Sequence, residues 1–152
     1  MLKRFAAILL VLICFCVIPT HTSAVSIGTS DSIIYLDDGS YITMTFEETT
    51  TRASGTTTGH RNLTYTANDG TVCWKATLTA TFTYNGTSAT CTASNCSVTV
   101  YESNWYTVSK SAAKSGNTAT ATVTMGRKVL GITIDKDTYS MTISCDKDGN
   151  MS

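Results

Sequence analysis

Proline is almost missing from this chain: the only one, Pro19, lies near the N terminus, and everything beyond it is proline-free. That excludes proline-rich spacers and polyproline recognition segments. Histidine is nearly as scarce, with His21 and His60 alone, so no cluster of imidazoles exists to hold a metal or to offer a choice of catalytic base. Charge is sparse at 14% of residues and balances to a formal net of zero, which removes the clustered basic face that nucleic acid requires. Helical periodicity is nowhere sustained, and no apolar run reaches the twenty or so residues of a spanning helix.

The longest apolar run, Phe5 to Ile18, follows Lys3 and Arg4 and precedes the small-residue site Thr22-Ser23-Ala24. That three-part order is that of a secretory signal peptide over 1–24, cleaved after Ala24. Cys14 and Cys16 would leave with it, and the remaining chain, 25–152, suits one domain that is secreted and acts outside the cell without a membrane anchor.

What is abundant is threonine, in alternation with apolar residues. In VCWKATLTATFTY the residues Val72, Trp74, Ala76, Leu78, Ala80, Phe82 and Tyr84 share one face, and Thr77, Thr79, Thr81 and Thr83 the other. That is a half-buried strand. Turn signals punctuate such segments, and each predicts a register that can be checked for agreement of faces. Asp69-Gly70 pairs Ala67 with Val72 and Tyr65 with Trp74; Asn85-Gly86 pairs Phe82 with Ala89; a loop at Asp38-Gly39-Ser40 pairs Leu36 with Ile42 and Ile34 with Met44. A loop over Asp135 to Thr138 pairs Ile134 with Tyr139, and a hairpin around Ser115-Gly116 brings Tyr106 and Val108 to Val123 and Ala121. Eight or nine short strands in succession predict an all-β fold, an antiparallel two-sheet sandwich of generally immunoglobulin-like architecture, with a closed β-barrel as the alternative. Only TTTRASGTTTGHR, residues 49–61, fits no strand and reads as a crossover or functional loop.

Four cysteines remain after the leader. CTASNC, 91–96, reads as a hairpin loop that places Cys91 opposite Cys96, within disulfide reach. An exported protein favours the oxidised pair, and neither a CxxC redox spacing nor a second metal-ligand pair is present. Cys73 and Cys145 are then left to pair with each other, with free thiols or other connectivities open.

No constellation points to catalysis. His60 has no evident nucleophile or orienting partner, and Asp37, Asp38, Glu47 and Glu48 lie around one hairpin rather than across a cleft. The tail DKDGN, Asp146 to Asn150, starts like a calcium loop but lacks the later ligands, so no metal and no cofactor is expected. The outward phase of the strands carries Tyr35, Tyr41, Tyr101 and Trp105, and rings on a polar surface stack on sugars or centre a protein interface. These residues are the candidate binding surface of a non-enzymatic secreted module of adhesion type, recognising a glycan or a cell-surface protein. A small secreted antagonist or toxin, and an enzyme with an unadvertised site, are the alternatives.

The leader, the threonine-rich hairpins, CTASNC, SNWYTVSKSAAKSGNTATATVT and DKDGN together resemble small exported threonine-rich β-proteins of Gram-positive bacteria, a group that carries no assigned activity. The resemblance implies export from a bacterial cell and brings no catalytic residue with it.

Overall fold

The computed structural model describes residues 24–51 and 55–152, with side chains described for 32–48 and 55–152; residues 1–23, with Cys14 and Cys16, lie outside them. Among the described residues eight strands follow in turn: β1 (Ala24–Tyr35), β2 (Tyr41–Thr51), β3 (Thr56–Thr66), β4 (Val72–Tyr84), β5 (Ala89–Val100), β6 (Trp105–Ser115), β7 (Thr118–Val129) and β8 (Ile132–Ser144). The first five form one antiparallel sheet and the last three a second, each ordered as in the sequence. The two sheets pack as a sandwich and do not close into a barrel. Each is an up-and-down meander, so the two-sheet build is shared with immunoglobulin-type domains while their Greek-key connections are not.

Alternation makes the core. Trp74, Ala76, Leu78, Ala80 and Phe82 of β4 are fully buried, and they face Ala119, Ala121, Val123 and Met125 of β7 with Met141 and Ile143 of β8. Each large apolar side chain among them contributes roughly 1.5–3 kcal/mol on burial. Alanine recurs at these positions because two sheets can approach closely only where large and small side chains interleave. The outward faces are held by hydroxyl pairs across strands: Thr58 with Thr81 at 3.0 Å, Thr124 with Thr138 at 2.9 Å and Thr120 with Thr142 at 3.3 Å.

Tyr65 pairs with Trp74 as its turn predicts, although a bulge nearer the turn sets Thr66, not Ala67, against Val72. Two other hairpins slide by two residues: Ile34 meets Ile42, and Phe82 meets Cys91. Side-chain capping of the turns sets these loop lengths. Asp38 Oδ1 accepts the Ser40 N–H at 3.0 Å, and Asn85 Oδ1 accepts the Thr87 and Ser88 N–H groups at 3.0 and 2.9 Å. A slide of two keeps every side chain on its predicted face.

Four expectations are overturned. The loop proposed at Asp135 to Thr138 is strand, and the turn lies at Leu130-Gly131, where φ is 49° and 81° and Val129 pairs with Ile132. A two-residue turn of this kind needs positive φ at both positions, which leucine does not advertise. In the β6–β7 hairpin Tyr106 meets Gly126, and Val123 and Ala121 meet Lys110 and Ala112, because the turn is tighter than read. Residues 49–61 are not a free loop, since Thr49, Thr50 and Thr51 of β2 pair with Thr58, Thr57 and Thr56 of β3; residues 52–54 lie outside those described. Thr57, Gly59 and Arg61 occupy the phase that points to the core along with Leu63, and these non-apolar residues hide the strand period.

The fourth concerns CTASNC, which is the middle of β5 rather than a hairpin loop. Cys91 lies opposite Phe82 and Ala93 opposite Thr81, so Thr92 is bulged out of the ladder. That extra residue puts Cys91 and Cys96 on the same inner face although they are five positions apart. A strand rises about 3.3 Å per residue, so their Cα atoms stand roughly 16 Å apart, far beyond disulfide reach. Cys73 begins β4 at one end of the sandwich and Cys145 follows β8 at the other, which separates that pair as well. All four side chains are buried, and the structure joins none of them in a disulfide.

Candidate functional site: the cleft at the loop end

Four connections gather at one end of the sandwich: 36–40 between β1 and β2, 67–71 between β3 and β4, 101–104 between β5 and β6, and 130–131 between β7 and β8. Between them opens a cleft of about 380 Å3 lined by Asp38, Ser40, Tyr65, Ala67, Asn68, Cys73, Asn104, Trp105 and Arg127. Its size falls in the lower part of the range of small-ligand sites, about 300–1,000 Å3.

The floor is aromatic. The Tyr65 ring stacks on Trp74 at 5.8 Å and tilts against Trp105 at 4.7 Å, while Trp74 is backed by Tyr139 at 5.2 Å. Only the edges of these rings reach the cleft, since Trp105 is 6% exposed and Tyr65 5%. The rim on one side is a hydrogen-bonded chain: Tyr65 Oη donates to Ser40 Oγ at 2.9 Å, and Ser40 Oγ donates in turn to Asp38 Oδ1. The Ser40 hydroxyl and N–H hold the Asp38 carboxyl below its ordinary range, with a smaller contribution from Arg127. Burial raises the Tyr65 phenol against that hydrogen bond, and burial raises the Cys73 thiol, so both stay protonated at neutral pH. Asn68 Nδ2 reaches the Asp38 carbonyl at 3.3 Å, tying the second loop to the first.

Arg127 supplies the opposite wall. It stands across from Trp105 on β6 and Asp135 on β8, on the inward phase of β7 that also carries Val123 and Met125. Its Nε is buried and has no hydrogen-bond partner among the described residues. The register sets Asp137 opposite Met125 on the same inward phase, and burial followed by the neighbouring Asp135 raises its carboxyl above the ordinary range. One charged wall thus holds a guanidinium whose Nε–H is unspent, and the facing loop holds an ionised carboxylate. Together with the Asn68 and Asn104 amides they offer donors and acceptors to one volume.

Of the residues singled out in the sequence, Tyr35 and Tyr101 are exposed, at 74% and 56%. Tyr35 pairs with Tyr41 at 5.9 Å between ring centres, on the same end of the five-stranded sheet as Tyr101, whose N–H bonds the Cys73 carbonyl at 2.9 Å. Trp105 does not join them. A bulge between Thr107 and Ser109 reverses the phase of β6, so the indole turns inward and becomes part of the cleft. Cys73 lies in the cleft as well, whereas Cys91, Cys96 and Cys145 do not. His60 is on the outer face, 3.0 Å from the Thr79 hydroxyl and opposite Glu47 in the ladder. The DKDGN tail is a turn closed on itself: Asp146 Oδ1 accepts the N–H groups of Asp148 and Asn150 at 2.9 Å each, and Oδ2 accepts Asn150 Nδ2 at 2.8 Å. Among the described residues no group of three or more acidic, histidine or cysteine side chains could hold a metal ion.

Ser40, Tyr65, Asn68, Asn104 and Arg127 were not foreseen as site residues. Arg127 carried a readable signal, a charged residue in step with Ala121, Val123 and Met125 on a strand face that must be buried. Comparison of the chain with protein-family models, with curated proteins and with solved structures gives no match.

Proposed function

We propose that the protein is a secreted, non-enzymatic binding module that takes part of a glycan into the loop-end cleft. The observation that carries this reading is the convergence of Asp38, Asn68, Asn104 and Arg127 over an aromatic floor in a single open cleft. A sugar ring presents hydroxyls that both donate and accept, and it is matched by carboxylate, amide and guanidinium groups set around apolar ring edges. The unpartnered Arg127 Nε supports the reading, because a buried donor costs free energy until a ligand oxygen meets it. Tyr35 and Tyr41 at one edge of the five-stranded sheet and Tyr101 at the other, all at the loop end, offer surface for further sugar units.

A glycan array with the purified chain tests this. Binding to at least one saccharide, weakened tenfold or more by Arg127→Ala and by Asn104→Ala but not by Thr120→Ala on the outer face, is the expected result. An array without a bound saccharide would reject it. Recognition of a cell-surface protein is the second reading, and the observation favouring it is the apolar fringe of the same end: Leu130 is 98% exposed, Ile132 69% and Ile134 52%. Binding to intact cells that survives glycan removal and is lost in Leu130→Asp would select it.

A further inference from the structure

We propose that Cys91 and Cys145 form a disulfide that ties the two sheets together at the end opposite the cleft. Cys91 lies near the start of β5 in the five-stranded sheet, and Cys145 directly follows β8 in the three-stranded one. The tight β6–β7 turn brings them together. The Cys91 N–H bonds the Gly116 carbonyl at 2.7 Å and the Cys145 N–H bonds the next carbonyl, Asn117, at 3.0 Å. Asn117 Nδ2 also donates to the Cys145 carbonyl at 2.7 Å, fixing that strand end on the same turn.

Both thiols are buried, at 5% and 1% exposure, so neither faces solvent as a reactive group. Burial first, then Asp146 and Glu48, with Cys91 as the smallest contribution, push the Cys145 thiol up to about 11. As thiols they donate to carbonyls beside them, Cys91 to Ala93 at 3.3 Å and Cys145 to Asp146 at 3.4 Å, and forming the disulfide exchanges both of these contacts for the sulfur–sulfur bond. The other two cysteines have no such neighbour, because Cys73 sits in the cleft at the far end and Cys96 is five positions along β5.

The oxidant is a small-molecule disulfide of the kind found outside cells. One cysteine thiolate attacks it, forming a mixed disulfide and releasing one small thiolate. The second cysteine displaces the other small thiolate and closes the protein bond, and the two released thiolates carry away the two cysteine protons. The exchange takes place during folding, before the sheets close over the sulfurs.

The test is non-reducing peptide mapping of the full chain folded with glutathione disulfide and then alkylated. Trypsin leaves Cys91 and Cys96 in peptide 76–110, Cys145 in 137–147 and Cys73 in 62–75. The expected product is 76–110 joined to 137–147, retained in Cys96→Ser and lost in Cys91→Ser, where Cys145 becomes alkylated. Cys91→Ala, read in the same way, guards against a serine variant that fails to fold. A cross-link that survives loss of Cys91, a bond from Cys73 to Cys145, a loop within 76–110, or four alkylated cysteines after oxidation would each overturn the proposal.

Discussion

Removing the Ser40 hydroxyl should destabilise the protein more than removing the Tyr65 hydroxyl it bonds, and removing both should cost less than the sum. Ser40 is 1% exposed and its Oγ stands between Tyr65 Oη and Asp38. In Ser40→Ala the Tyr65 hydroxyl stays buried with no acceptor, a penalty of about 1–3 kcal/mol. In Tyr65→Phe the polar atom leaves with its hydrogen bond, while Ser40 still donates to Asp38, so the cost is that of one ordinary hydrogen bond, about 1 kcal/mol. With Ser40 already alanine, Tyr65→Phe removes an orphaned group and should be neutral or restoring. Urea unfolding of the four proteins at pH 7 gives the cycle, whose coupling should exceed the ~0.5 kcal/mol scatter of independent sites. Equal cost of Tyr65→Phe in both backgrounds would refute the relay from Tyr65 through Ser40 to Asp38.

Other perturbations probe the same account. Gly126 lies under the Tyr106 ring, whose Cζ, Cε1 and Oη occupy the space of an added Cβ, so Gly126→Ala should cost about 1–3 kcal/mol in thermal or urea unfolding. Leu130 holds a positive φ of 49° while 98% exposed, so Leu130→Asn should relieve strain without losing packing and raise stability by about 0.5–1 kcal/mol. A lower melting temperature for Leu130→Asn would contradict that. Asp38 has its folded pKa lowered, so its contribution is present above the unfolded value of 3.8 and is lost as pH falls through the folded one. Asp137 has the opposite sign, because its folded pKa is raised: any stability it lends is present below 3.8 and lost as pH rises through the folded value. Asp137→Asn should therefore raise the unfolding midpoint at pH 7 and leave it unchanged at pH 3, where the carboxyl is neutral in both states.

The sandwich was legible because β4 alternates without interruption from Trp74 to Phe82, and even hairpins misjudged by two residues kept their faces. Odd steps were the source of error. The bulges at Thr92 and next to Thr107 each invert a strand's phase, and nothing in threonine or serine marks the residue that will leave the ladder. The first inversion produced the apparent hairpin in CTASNC, and the second turned Trp105 from a surface ring into a wall of the cleft. Polar residues on an inward phase were the other source. Asp135 and Asp137 are in step with Tyr139, Met141 and Ile143, and Arg127 with Val123 and Met125, but charge there resembles a loop when burial is the only criterion. The three-stranded sheet extends these positions beyond the apolar core, so the same break in pattern that hid the β7–β8 turn marks the charged wall of the site.

The most direct measurement is amide chemical-shift mapping of the isotope-labelled protein during titration with a saccharide bound on the array. Perturbations concentrated in 36–40, 65–73, 101–105 and 127–131, absent in Arg127→Ala, are the predicted result. Perturbations on the threonine faces around Thr79 or Thr122, with the cleft residues unmoved, would contradict the placement of the site.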